Sequence, residues 1–129
     1  MPYLLPRTTE DWAFGPGSML SGVTASATIT AGQLLVVSGN GTVAPSTTNS
    51  TSFVGTAANS AASGAPVSVW IGGVQRLTAS GTVTAGQTVQ AAASGAAATH
   101  TDGTLDAAVV GVAITTATTG NQFDCLMTR

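Results

Sequence analysis

The sequence predicts an all-β fold, a small β-barrel or sandwich built from two tandem β repeats with an extended N-terminal arm. Three observations carry that expectation. The first is internal: Ser26-Ala-Thr-Ile-Thr-Ala-Gly-Gln33 returns as Ser80-Gly-Thr-Val-Thr-Ala-Gly-Gln87, six of eight residues identical at an offset of 54, and self-similarity at fixed spacing is the mark of a repeated structural unit. The second is that apolar residues after Ala25 alternate with period two, as a half-buried strand requires. The third is a break in composition, since residues 1–24 hold three of the five prolines and half of the six aromatic residues.

The repeat can be followed to the end of the chain. Asn40-Gly41 falls on Ser94-Gly95; after a slip of two residues, Val54-Gly55-Thr56-Ala57 falls on Val110-Gly111-Val112-Ala113, Gly64 on Gly120, and Val67, Val69 and Ile71 on Phe123, Cys125 and Met127. Each copy therefore reads as strand, Ala-Gly-Gln turn, strand, loop, strand, strand. Repeat one spans 25–77 and repeat two 78–129, together a β domain of residues 25–129, and a chain of 129 residues has room for one core that both would share. Two equivalent halves, each burying one face, imply a closed or nearly closed barrel with an internal pseudo-twofold.

Residues 1–24 are the arm. Pro2, Pro6 and Pro16 fix φ and remove backbone donors, which predicts an extended, irregular segment. Tyr3, Leu4, Leu5, Arg7, Trp12 and Phe14 are its candidate partner-binding residues, with Met19 and Leu20 as further apolar points. Ordering such a segment costs about 1–2 kcal/mol per residue, against about 1.5–3 kcal/mol returned by each large side chain buried. It needs a surface to lie on, either its own barrel, where Trp12 and Phe14 would plug one end, or another molecule.

In repeat one, Ala27 and Ile29 lead as a strand into Ala31-Gly32-Gln33, and Leu35 and Val37 alternate up to Asn40-Gly41, a two-residue hairpin signal because both positions tolerate φ > 0. Thr42 to Ala44 returns and stops at Pro45; Ser46 to Ser52 is a polar loop; Phe53 to Ala58 and Val67 to Ile71 are strands; Gly72-Gly73 bends the chain and Val74 to Thr78 leads on. Repeat two places strands at Thr82 to Thr84, Thr88 to Ala92, Val109 to Ile114 and Phe123 to Met127. Ala91 to Ala98 has helical propensity, but Ser94-Gly95 interrupts it and the first copy has a hairpin there, so it reads as strand and turn.

Composition excludes several functions. Ala, Gly, Ser and Thr exceed half of the chain, lysine is absent, and eight residues carry formal charge for a net of −2. Arg7, Arg76 and Arg129 are the only basic side chains, too few to neutralise phosphates, so nucleic acid is not an expected partner. No leader opens the chain and no apolar run nears the ~18 residues of a membrane helix, which predicts a soluble product made in the cytoplasm. Cys125 has no partner for a disulfide and sits at a core-facing strand position, as packing. Arg76 reads as a strand-edge residue paired with an acid, or as an interface contact. His100, Asp102 and Asp106 are the one cluster that could bind metal or act as base and acid, but a single imidazole in an Asp-Gly turn is weak ground for either. No enzyme activity and no cofactor are expected.

Val67-Ser-Val-Trp-Ile-Gly-Gly-Val74, Ala85-Gly86-Gln87, Val110-Gly-Val-Ala113 and the stretch Gly120 to Leu126 together resemble the decoration, or cement, proteins of tailed-bacteriophage heads, over residues 25–129. The resemblance implies a β-rich domain, commonly a homotrimer, on the exterior of the capsid, clamping neighbouring major capsid protein subunits without cofactor or catalysis. The arm and the shortage of charge are where this sequence departs from that pattern. A module of a phage fibre or bacterial surface protein that binds a receptor or glycan is the competing expectation. Exposed loop aromatics would favour it, because sugar rings stack on them, and Ser46 to Ser52 and Thr99 to Leu105 have none.

Overall fold

The computed structural model describes residues 16–101 and 106–128. Nine strands make up the fold: β1 (Pro16–Ala25), β2 (Leu34–Gly39), β3 (Thr42–Pro45), β4 (Phe53–Ala57), β5 (Pro66–Thr78), β6 (Thr88–Ala91), β7 (Ala97–Thr99), β8 (Val109–Ala113) and β9 (Gln122–Met127). Among the described residues the only helical pieces are single 3-10 turns at Ala93–Gly95 and Asp106–Ala108.

Strand pairing closes two small rings that share β5. In the first, β1 lies parallel to β3, and antiparallel ladders then run β3 to β2, β2 to β4, β4 to β5 and β5 back to β1. In the second, the later half of β5 pairs with β9, β9 with β8, β8 with β6 and β6 with β7, and a parallel bridge from Ala79 to Ala97 completes the circuit. A closed ring leaves no long edge to template aggregation, which answers the absence of lysine and the shortage of charge on the strands.

The two Ala-Gly-Gln turns are built from the same bonds. Gln33 Oε1 accepts the Thr30 N–H at 2.8 Å and Gln87 Oε1 the Thr84 N–H at 2.8 Å. Gly32 N–H donates to Ala57 O and Gly86 N–H to Ala113 O, each at 2.8 Å. Ser60 Oγ accepts from Ala31 N and Thr116 Oγ1 from Ala85 N, each at 3.0 Å. The glutamine is thus retained in both copies because its carbonyl oxygen satisfies a donor that the turn would otherwise orphan.

Several expectations change. Ile29 and Val83 do not sit in strands; each makes an isolated bridge, to Ala61 and to Ala117, and is buried beneath its turn. Residues 16–24 of the expected irregular arm are strand β1, paired with β5 from Pro16 opposite Gly73 to Thr24 opposite Pro66, with a bulge between Leu20 and Val23. Asn40-Gly41 takes positive φ only at Gly41, with a slip in register between Val37 and Gly39, whereas Ser94 and Gly95 both take it, at 59° and 73°.

The buried side chains form two clusters, not the single shared core. One holds Ala25, Ile29, Leu35, Val43, Ala57, Ala61, Val67 and Val69, inside the first ring. The other fills the second ring around Leu77, Val83, Val89, Val110, Phe123 and Cys125, and takes Leu34 and Phe53 from repeat one. A five-stranded ring is narrower than the eight-stranded barrels that accommodate a full set of side chains, so alanine is the residue that fits. Ala79, Ala91, Ala97, Ala113 and Ala117 line the second ring for that reason.

Candidate interaction surface

The junction between the rings is one of two places where polar side chains are committed. The β6–β7 hairpin of repeat two docks on the turn and loop of repeat one: Gln33 Nε2 donates to Ser94 O at 2.9 Å, Gly95 N to Ser46 O at 3.1 Å, and the buried Ser46 Oγ to Ala92 O at 2.8 Å. Gly95 lies so close that a Cβ there would meet Gln33 Cβ at 2.5 Å. Gln90 Nε2 donates to Asn49 Oδ1, and Gln90 Oε1 lies 2.7 Å from His100 Nδ1. The junction is head-to-tail. A twofold would set Gly41 against Gln87 in return, but Gly41 is exposed with nothing within 4 Å of its would-be Cβ, so the expected pseudo-twofold is replaced by a tandem arrangement.

The second place is the outer face of β1, β5 and β9. Met19 and Trp70 are cross-strand partners, as are Val74 and Leu126, and all four stand exposed at 40–47%. Trp70 and Leu126 occupy the same position in the two repeats. Under each lies a glycine, Gly55 or Gly111, where a Cβ would fall 2.0 Å from Trp70 O or 2.2 Å from Leu126 O, so the neighbouring strand approaches too closely for any side chain. Between Trp70 and Val74 the chain kinks at Gly72 and Gly73, with φ of 70° and 69°, which favours glycine. The kink is fixed by Gln75, whose Nε2 donates to Trp70 O at 3.1 Å and to Gly72 O at 2.7 Å while its Oε1 accepts from Thr56 Oγ1. Two residues on, Arg76 Nε meets Asp124 Oδ1 at 3.1 Å, the acid partner expected for this strand arginine.

Tyr3, Leu4, Leu5, Arg7, Trp12 and Phe14, the candidate binding residues of the arm, lie outside the described residues. Of the arm's other apolar points, Met19 belongs to the outer face, and Leu20 is half-buried against the first cluster. Asp102 also lies outside the described residues, and among those described no three His, Cys, Asp or Glu side chains come together. Cys125 is fully buried, and burial pushes its thiol up from 9.0 to about 12. Among the described residues no helix is long and apolar enough to cross a membrane. Sequence reasoning did not single out the outer face, although Trp70 and Leu126 at matching out-facing positions were a usable signal.

The family model for phage cement proteins matches residues 15–128. The chain belongs to that family. Nothing among curated proteins matches it. Of solved structures, the N base of head fiber gp8.5 of bacteriophage phi29 is similar in fold, with a TM-score of 0.64 at 19% identity over 86% of this chain and 95% of that one. This cement protein is a capsid-associated structural component of the phage. The match begins at residue 15, one residue before β1, and so takes in β1 as well as both turn repeats.

Proposed function

We propose that this cement protein binds the exterior of a phage capsid and stabilises it by bridging neighbouring major capsid protein subunits, acting as a homotrimer made in the host cytoplasm. The family match across residues 15–128 carries the reading. The physical character of the surface supports it: with eight formal charges in the whole chain, attachment depends on shape and apolar contact and is weakly sensitive to salt. Several copies on one assembly multiply a modest contact by avidity. In this reading Tyr3, Leu4, Leu5, Arg7, Trp12 and Phe14 of the arm anchor the protein on the shell or on an adjacent subunit. The competing reading, a receptor- or glycan-binding face on the Thr-rich loops, loses support at Ser46 to Ser52, because Ser46 and Asn49 are engaged in holding the second ring.

The test is cosedimentation with capsids that lack the protein, beside host cells as the alternative target. Binding to capsids and raised thermal stability of the decorated shells are expected; binding to cells alone would overturn the proposal. A chain lacking residues 2–14, a deletion that leaves β1 whole, is expected to lose most of its attachment, and undiminished attachment would remove the arm from the account.

A further inference from the structure

An apolar group exposed on a sheet needs an occupant when it is contiguous, and here it is. The Met19–Trp70 pair on the first ring and the Val74–Leu126 pair on the second adjoin along β5, where four residues span at most about 13 Å. Large contiguous apolar patches on a soluble surface mark interaction sites, and Trp, Met and Arg are the types enriched where proteins meet. The substructure is rigid: Gln75 pins the kink from within, and Gly55 and Gly111 bring the strands beneath it close.

The charges at its margin say what fits. Arg76 and Asp124 lie side by side, the arginine 66% and the aspartate 35% exposed. They are two of only eight charged residues in the chain. A strongly acidic or basic partner would meet one like charge and one unlike. A copy of the same face, turned over, sets its Asp124 against Arg76 and its apolar pairs against these. The chain's own arm is a poorer occupant: continuing the β1 register past Pro16 opposite Gly73 would set Gly15 at Val74 and Ala13 at Arg76, side chains too small to cover Trp70 or Leu126.

We propose that the outer face of β1, β5 and β9, with Met19, Trp70, Val74 and Leu126 at its centre and the Arg76–Asp124 pair at its margin, is the surface through which copies of this chain associate. It deepens the reading above, resting on several copies acting together, and leaves the arm free for the shell.

Sedimentation of the full chain over about a hundredfold range of concentration tests it, since association is governed by mass action. The wild type is expected to associate, and Trp70→Ser and Leu126→Ser each to weaken association at least tenfold with an unchanged circular dichroism spectrum. Arg76→Asp makes the margin doubly negative and Asp124→Arg doubly positive. Each alone is expected to dissociate, and an equimolar mixture to re-form a mixed assembly, a rescue in trans that a purely internal ion pair does not give. A wild type monomeric throughout, or a mixture no more associated than its components, overturns the proposal. The chain has two tryptophans, so Trp12→Phe leaves Trp70 as the sole reporter. Its protection from acrylamide is expected to rise with concentration; protection that is independent of concentration and lost on deleting residues 2–14 would assign the face to the chain's own arm instead. Cosedimentation of Trp70→Ser with capsids keeps the readings apart. Lost self-association with some shell binding retained bears on this face, whereas a wild type that binds no shell undoes the function.

Discussion

Gln33 and Gln87 hold identical turns, yet only Gln33 goes on to join two rings. Its Oε1 serves the turn and its Nε2 reaches Ser94 of the second ring; Gln87 Oε1 serves its own turn and receives Thr99 Oγ1 at 3.1 Å from within the same repeat. The next residue differs in the same sense. Leu34 is fully buried and belongs to the core of the second ring, while its counterpart Thr88 is exposed. In stacked repeats the inner unit carries a joint and the terminal unit a polar cap. Duplicated sequence therefore fixes each ring, and the departures from duplication fix how the rings are joined.

Exchanging the counterparts should break this asymmetry, most strongly at the apolar joint. Leu34→Thr is expected to cost about 3 kcal/mol through lost burial and a stranded hydroxyl, whereas Thr88→Leu should change stability by less than about 1 kcal/mol; urea denaturation of both variants measures the difference. The hairpins come next. Gly41→Ala meets only the strain of a positive φ, about 1 kcal/mol, but Gly95→Ala must also push against Gln33 and should cost about 2–3 kcal/mol, seen as a larger drop in Tm. At the turns, Gln33→Ala and Gln87→Ala each lose the bond to the threonine N–H, and Gln33→Ala should be worse by about 1 kcal/mol for the extra bond to Ser94. Equal losses would mean that this bond does not hold the joint.

The smallest effect separates the rings by pH. Val69 in the first ring corresponds to Cys125 in the second, whose thiol burial holds protonated up to about 12. The unfolded chain ionises this group from its ordinary 9.0, so its contribution is whole below about pH 9 and falls as pH rises toward 12. Thermal melts of wild type and Cys125→Val between pH 8 and about 11 should diverge, with the valine chain the less sensitive to alkali.

Much of each ring was legible because its signals are local. The Ala-Gly-Gln turns carry their own bonds, Val67 to Ile71 alternates, and Ser94-Gly95 turns where a helix could otherwise have run. Strand β1 was not legible: Ser18, Ser21 and Gly22 blur its alternation and a bulge shifts its register, although Val23-Thr24-Ala25 matches Leu77-Thr78-Ala79 and could have extended the repeat backward. Ring closure was hidden for a different reason, since which strand β3 or β7 meets depends on contacts remote in sequence. The outer face was partly visible as Trp70, but its grouping with Met19 and Leu126 required the pairing of three strands.

Strand β5 belongs to both rings at once, and this gives the molecule a mechanical character. Its ladders to β1 and β4 lie at one end and its ladder to β9 at the other. A force drawing the rings apart passes along a single covalent segment, and the hydrogen bonds beside it, lying across the strand, share the load in shear. Peeling, which breaks such bonds one after another, would need a pull from the side. The chain is thus built to bear tension along one axis, and the orientation of β5 relative to a strained surface determines how much it can hold.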